Sequence, residues 1–156
     1  MKQRKASWVF VLILVLVSCG KQPLYNKSYS FENHVWEQDV KPVFKFNIAD
    51  TSLYYTVQMT FRVTTGYSHS NLWFFTFTKS PHGETGRLPY EVVFSNPDGS
   101  WAAETSGTIV EKTIFFKHRK FPQKGTYTII LEQGITEETV HEIMDVSLRV
   151  IQDENQ

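Results

Sequence analysis

Residues 53–64 read LYYTVQMTFRVT, and apolar and polar positions alternate through all of it. Leu53, Tyr55, Val57, Met59, Phe61 and Val63 share one parity; Tyr54, Thr56, Gln58, Thr60, Arg62 and Thr64 share the other. A period of two predicts a half-buried strand with its odd face inward. Residues 41–48 repeat the pattern through Phe44, Phe46 and Ile48, after a Pro42 that suits an edge strand or a strand start. Residues 72–78, LWFFTFT, are apolar on both parities, which predicts a central strand of a sandwich. Tyr90, Val92 and Phe94 align next, then Tyr127, Ile129 and Leu131, then Val146, Leu148 and Val150. Residues 109–116 are interrupted by Glu111 and Lys112 and predict two short strands. Only 136–144 has helical spacing, through Val140, Ile143 and Met144, enough for a single turn.

Turn signals separate these runs. Asn96-Pro97-Asp98-Gly99 is the strongest, since Pro presets φ and Gly accepts a positive φ. Pro122 and Gly125 bracket another. Seven or eight strands at this spacing predict an all-β fold: an antiparallel β-sandwich, jelly-roll or immunoglobulin-like, over residues 31–152. A length of 156 residues suits one such domain.

The amino terminus follows a different pattern. Residues 1–7 are basic and polar, and residues 8–17 are ten consecutive apolar residues. A membrane-spanning helix needs roughly 20. A basic head before a short apolar run fits a secretory signal, here residues 1–18. It ends in Leu16-Val17-Ser18-Cys19, which resembles the lipobox of bacterial lipoproteins. That resemblance implies cleavage before Cys19 and a diacylglyceryl group on its thiol. A plain signal peptide with an incidental cysteine, or an uncleaved anchor, are the alternatives. Residues 19–30 then form a lipidated terminus and a polar tether containing Pro23 and Asn26. Gly20 is not the aspartate that retains some lipoproteins in the inner membrane, and no acidic cluster follows Lys21. Both features favour the outer membrane, facing the periplasm.

Charge and cysteine content narrow the chemistry. Lys and Arg total 16, as do Asp and Glu, but Lys2, Arg4 and Lys5 all precede residue 19. The remainder is mildly acidic, so nucleic acid is not an expected partner. A single cysteine makes no internal disulfide and excludes a multi-cysteine metal site. The histidines, at 34, 69, 82, 118 and 141, show no HxH or HExxH spacing, so no metal or other cofactor is expected. Ser68-His69-Ser70 puts hydroxyls beside an imidazole, but sequence neighbours on a strand face opposite ways. With no G-x-S-x-G elbow, the stretch reads as a polar loop. Asp50, Asp98 and Glu137-Glu138 read as turn residues, so no catalytic residue is expected. Aromatics, at 15% of the chain, are the feature that points to binding. Tyr67, Asn71, Trp73 and Trp101 lie in or beside loops, and Trp73, Phe75 and Phe77 share one strand face. Aromatic rings dominate cores, so core filling is the favoured reading of these and a ligand platform the other. Among these rings Trp101, just after a turn, is the one expected to be partly exposed.

Several segments together resemble one family. They are Trp36 before FNIADTSLYYTVQMTFRVT, then GYSHSNLWFFTF at 66–77, PDGSW at 97–101, FPQKGTYTIILEQGI at 121–135 and IMDVSLRVI at 143–151. In order and spacing they resemble the GldH family of gliding-motility lipoproteins of Bacteroidetes. TGRLPYEVVF at 85–94 and the Ala102–Gly107 stretch depart from its pattern, so the loop after Trp101 is expected to differ in shape. The resemblance implies a non-catalytic, membrane-anchored lipoprotein acting through protein–protein contacts with envelope proteins of the gliding and type IX secretion machinery. The residues alone also admit a carbohydrate- or peptidoglycan-binding module, with a glycan as partner. An envelope hydrolase would need converging Asp, Glu or His side chains that the sequence does not bring together.

Overall fold

Alternation becomes architecture when the apolar parities of different strands find a common interior. The computed structural model describes residues 22–154, so the signal segment and Cys19 lie outside the described residues. The strands are β1 (Tyr25–Ser30), β2 (Val35–Glu37), β3 (Val43–Ile48), β4 (Tyr54–Thr64), β5 (Asn71–Lys79), β6 (Thr85–Val93), β7 (Glu104–Ser106), β8 (Ile109–Lys120), β9 (Gly125–Gln133), β10 (Thr139–His141) and β11 (Ile143–Gln152). All pairings are antiparallel. One sheet runs β1-β11-β4-β8-β7, the other β3-β9-β5-β6, and β2 pairs with β10 at the side. Lettered B to I along the chain, the eight strands of six or more residues run B-I-D-G against C-H-E-F. That is the jelly-roll order, one of the two topologies the sequence left open.

The odd residues of β4 point into the interior, with Phe61 and Val63 fully buried. Phe61 meets Phe74 of the facing sheet at 4.9 Å between ring centroids, so the two layers share one core. Phe44, Phe46 and Ile48 are buried as predicted, and β3 is an edge strand, consistent with Pro42. Tyr127, Ile129 and Leu131 are buried on β9, and Val146, Leu148 and Val150 on β11. In the Asn96–Gly99 turn, Gly99 has φ +84°, and the Asp98 carboxylate accepts from the Ser100 amide at 2.9 Å.

The structure departs from the sequence pattern in four places, each with a physical cause. Tyr25–Ser30, placed by the pattern in the tether, forms edge strand β1 along β11. Its side chains are mostly exposed, so its pairing comes from backbone rather than burial. Residues 109–116 belong to one twelve-residue strand, β8, not two. Lys112 faces inward there because its ammonium donates to the Ala102 carbonyl at 2.6 Å. Residues 136–144 contain no helix. Val140 is buried in β10 opposite Trp36, and the spacing to Ile143 and Met144 comes from two irregularities in succession. Glu142 has φ +66°, and a bulge shifts the β11 register between Ile143 and Asp145. That bulge turns Asp145 onto the outer face, where Arg62 grips it through Nε at 3.0 Å and through Nη2. Finally, β5 is central as predicted, but only one of its faces enters the core.

Candidate functional site

On β5 the even residues Leu72, Phe74 and Thr76 are buried, so the odd residues face outward. Asn71, Trp73, Phe75 and Phe77 therefore line the outer surface of the four-stranded sheet. Core filling, the favoured reading of Trp73, Phe75 and Phe77, is overturned by this parity. The strand is apolar on both sides, and register with β9 and β6 decides which side is the core. Phe77 lies opposite Ile130 of β9, and Trp73 opposite Glu91 of β6. Trp73, Phe75 and Phe77 form an apolar stripe on this outer face. The outer face of the five-stranded sheet is mixed: β4 presents Thr56, Gln58, Thr60 and Arg62, and Tyr54 and Phe115 are exposed rings beside them.

Trp73 is the open ring of the stripe, 44% exposed. The Asn71 amide donates to the Glu91 carboxylate beside it at 2.6 Å. Phe75 is covered: the Arg87 guanidinium sits 3.7 Å above its ring centroid. Arg87 is held there by Glu132 at 3.2 Å, and Glu132 also takes Lys41 at 2.9 Å. Behind the ring, Gly134 donates its amide to the Trp73 carbonyl at 2.8 Å. A Cβ on Gly134 would lie 3.1 Å from both that oxygen and the Phe75 ring, so only glycine passes there without displacing backbone.

The hydrogen bond from Lys41 holds the Glu132 carboxyl below its ordinary range; partial burial opposes this and Arg87 reinforces it. A carboxyl depressed by folding adds stability above its unfolded pKa and loses it as pH falls through the folded value. Glu132→Gln is therefore expected to melt below the wild type at neutral pH. The two should converge as pH drops from about 5 to about 3, the acid range where a depressed carboxyl titrates. Thermal midpoints across that range check this, and a pH-independent gap would contradict it.

The other sequence-picked residues occupy the loop end of the sandwich. Tyr67, only 5% exposed, donates its hydroxyl to the Asn71 carbonyl at 2.9 Å and packs against Phe94 at 5.3 Å. Burial pushes its phenol well above the ordinary range, and the Glu137 charge adds to that. Trp101 is partly exposed, with its ring packed in part against the core and its backbone bridging to Ser95. Asn71 and Trp73 thus share the outer face, while Tyr67 and Trp101 secure the end beside it. Sequence reasoning missed the Lys41–Glu132–Arg87 bridge. Its trace was Glu132, the one acid among the outward residues of β9.

His69 faces Glu137 at 3.7 Å, and neither Ser68 nor Ser70 bonds to its ring among the described residues. Among those residues no three metal-binding side chains converge, and no helix is long and apolar enough to cross a membrane.

A family model described as GldH lipoprotein matches residues 23–150. The chain belongs to the GldH lipoprotein family. At the family level it is a gliding-motility lipoprotein, which implies a lipid anchor in a membrane. GldH lipoproteins are not known as enzymes. No curated protein matches the chain. Among solved structures, a carbohydrate-binding module specific for non-crystalline cellulose, CBM28, aligns with TM-score 0.50 at 10% identity, over 83% of this chain and 73% of that one. A family GH115 4-O-methyl-α-glucuronidase aligns with TM-score 0.46 at 10% identity, over 86% of this chain and 18% of the enzyme's length. The CBM22-1 xylan-binding domain from Paenibacillus barcinonensis aligns with TM-score 0.36 at 8% identity, over 86% of this chain and 97% of that one. The CBM28 likeness concerns the sandwich fold alone.

Proposed function

We propose that this GldH lipoprotein is acylated at Cys19 and works without catalysis at the outer membrane, facing the periplasm. There it contacts envelope proteins of the gliding and type IX secretion machinery. The observation that carries this reading is the family match across nearly the whole domain. The apolar stripe on one outer face supplies a surface for such a contact. Trp73 is its anchor, with Asn71 beside it, and Tyr67 and Trp101 hold the adjoining end rather than touch the partner.

Tryptophan is over-represented among the few interface residues that dominate binding energy, and truncating such a residue costs about 2 kcal/mol or more. Trp73→Glu should reduce co-purification of envelope proteins by about tenfold or more. Because the new carboxylate faces Glu91 across the β5–β6 pair, it should also cost about 1 kcal/mol of stability, so recovery is compared at equal folded abundance. The check is quantitative recovery from membranes with tagged wild type, Trp73→Glu and a Phe115→Ala control at another exposed ring. Equal recovery from all three would remove Trp73 from the contact.

A glycan-binding reading has one observation in its favour, the open Trp73 ring on a sandwich face. Sugar platforms need neighbouring free rings, and Arg87 covers the next one, so protein contact fits the surface better.

A further inference from the structure

Along the side where β6 and β8 run, the two sheets share no backbone pairing and meet where Tyr90 packs edge-on against Phe116 at 4.9 Å. β6 pairs only with β5, and β8 has β7 beside it only from Ile109 to Glu111. Residues 112–120 of β8 therefore keep a free edge. Between these strands a cavity of about 120 Å³ opens into the core. Val57, Met59, Tyr90, Phe116 and Ile129 contribute apolar walls, and Thr76 and Thr78 line it as well. Leu88, 55% exposed, and Arg119 stand at its rim.

Size limits what enters. An apolar cavity of about 150 Å³ holds one benzene molecule, so this one takes a single branched aliphatic side chain. Charge limits what surrounds it. Residues 117–120 read KHRK, on a domain that is otherwise mildly acidic. Lys117 lies near the Phe115 ring and Lys120 near the Tyr54 ring. His118, at φ +55° in a bulge, stacks on Tyr54 at 3.8 Å and reaches Asp153. Arg119 lines the cavity mouth, whereas Lys117 and Lys120 lie over rings on the outer face.

We propose that this mouth is a docking socket for an extended segment of a partner protein. The segment lies along the free edge of β8, inserts one aliphatic side chain between the sheets and places a carboxylate against Arg119. Extended segments commonly bind sheet edges in this way, with backbone bonds for affinity and pockets for selectivity. Pro89 removes a donor from β6, which leaves β8 as the edge for pairing. The proposal rests on the reading that the protein acts through protein contacts.

The test uses the full-length, membrane-anchored protein in cells. A photo-crosslinking benzoylphenylalanine replaces Leu88 at the rim, or Ser28 on the exposed far edge of the five-stranded sheet as a control. The expected result is a discrete protein adduct at position 88 and not at 28. Arg119→Glu should reduce it at least tenfold, and Arg119→Lys should preserve most of it. No adduct at 88, an adduct of lipid mass, or one indifferent to Arg119→Glu would overturn the socket. A deletion strain separates the two levels. Suppose deletion abolishes spreading, while Leu88→Glu and Arg119→Glu copies at normal abundance restore it fully. The socket is then wrong and the functional reading stands. If deletion changes neither spreading nor secretion, the functional reading itself fails.

Discussion

Trp36→Ala is expected to lower unfolding free energy by about 3–5 kcal/mol, a large share of a domain's usual total. Trp36 is fully buried although it sits in a strand of three residues. Its ring stacks on Phe31 at 4.9 Å, and its indole N–H donates to the Val40 carbonyl at 2.8 Å. Across the β2–β10 pair it faces Val140, which is also fully buried. One side chain thus ties three connections to the core: the turn after β1, the approach to β3, and β10. Truncation removes apolar contact, opens a cavity and leaves a carbonyl without its donor, and these losses add. A thermal midpoint lower by roughly 10–20 °C follows for a domain of this size. Trp36→Phe should recover most of the packing and none of the hydrogen bond, so it should fall between the two. A loss below about 1 kcal/mol for the alanine variant would mean that this end is held otherwise.

Cys19→Ala is expected to abolish membrane attachment while leaving the fold untouched. Each buried methylene of an acyl chain contributes about 0.8 kcal/mol, and a single chain holds only marginally. Two or three chains on one terminus give a stable anchor, and the chain offers no second cysteine to carry them. Labelled palmitate should enter the wild type and not the variant, and the variant should leave the membrane fraction. β1 begins at Tyr25, so the tether from Cys19 is shorter than the sequence pattern suggested. Five intervening residues reach at most roughly 17–20 Å when extended, so acylation at Cys19 would keep the sandwich close to the bilayer surface. Equal palmitate labelling of both proteins would refute acylation at this residue.

Strands legible in the sequence were those with one apolar parity. β4, β9 and the outer half of β11 follow from alternation alone, because a one-residue slip would expose the whole hydrophobic set. β1 was not legible. YNKSYS buries little, and an edge strand of that kind is specified by the backbone of its neighbour. β10 was hidden for a different reason, since a positive φ at Glu142 and a bulge at Met144 broke the period and imitated a helical one.

The candidate surface was half legible for the same kind of reason. The sequence identifies the rings of β5, but a strand apolar on both parities does not say which parity is core. Pairing with β9 and β6 decides it, and the β9 partners of Phe75 and Phe77, Glu132 and Ile130, lie far along the chain. Trp101 is only partly exposed because the hairpin between Phe94 and Ala102 folds its ring toward the core, with the Ala102 amide donating to the Phe94 carbonyl at 2.7 Å. Arg87 and Arg119 carry no local signal at all. One matters because Phe75 lies beneath it, the other because a cavity opens between two strands beside it.

The central claim is that a lipid-anchored jelly roll serves gliding and type IX secretion by contact rather than catalysis. It is tested most directly by deleting the gene and scoring colony spreading together with secretion of type IX cargo. The account predicts that both are lost, that the wild-type copy restores both, and that Cys19→Ala restores neither. Normal spreading and normal secretion in the deletion strain would contradict it.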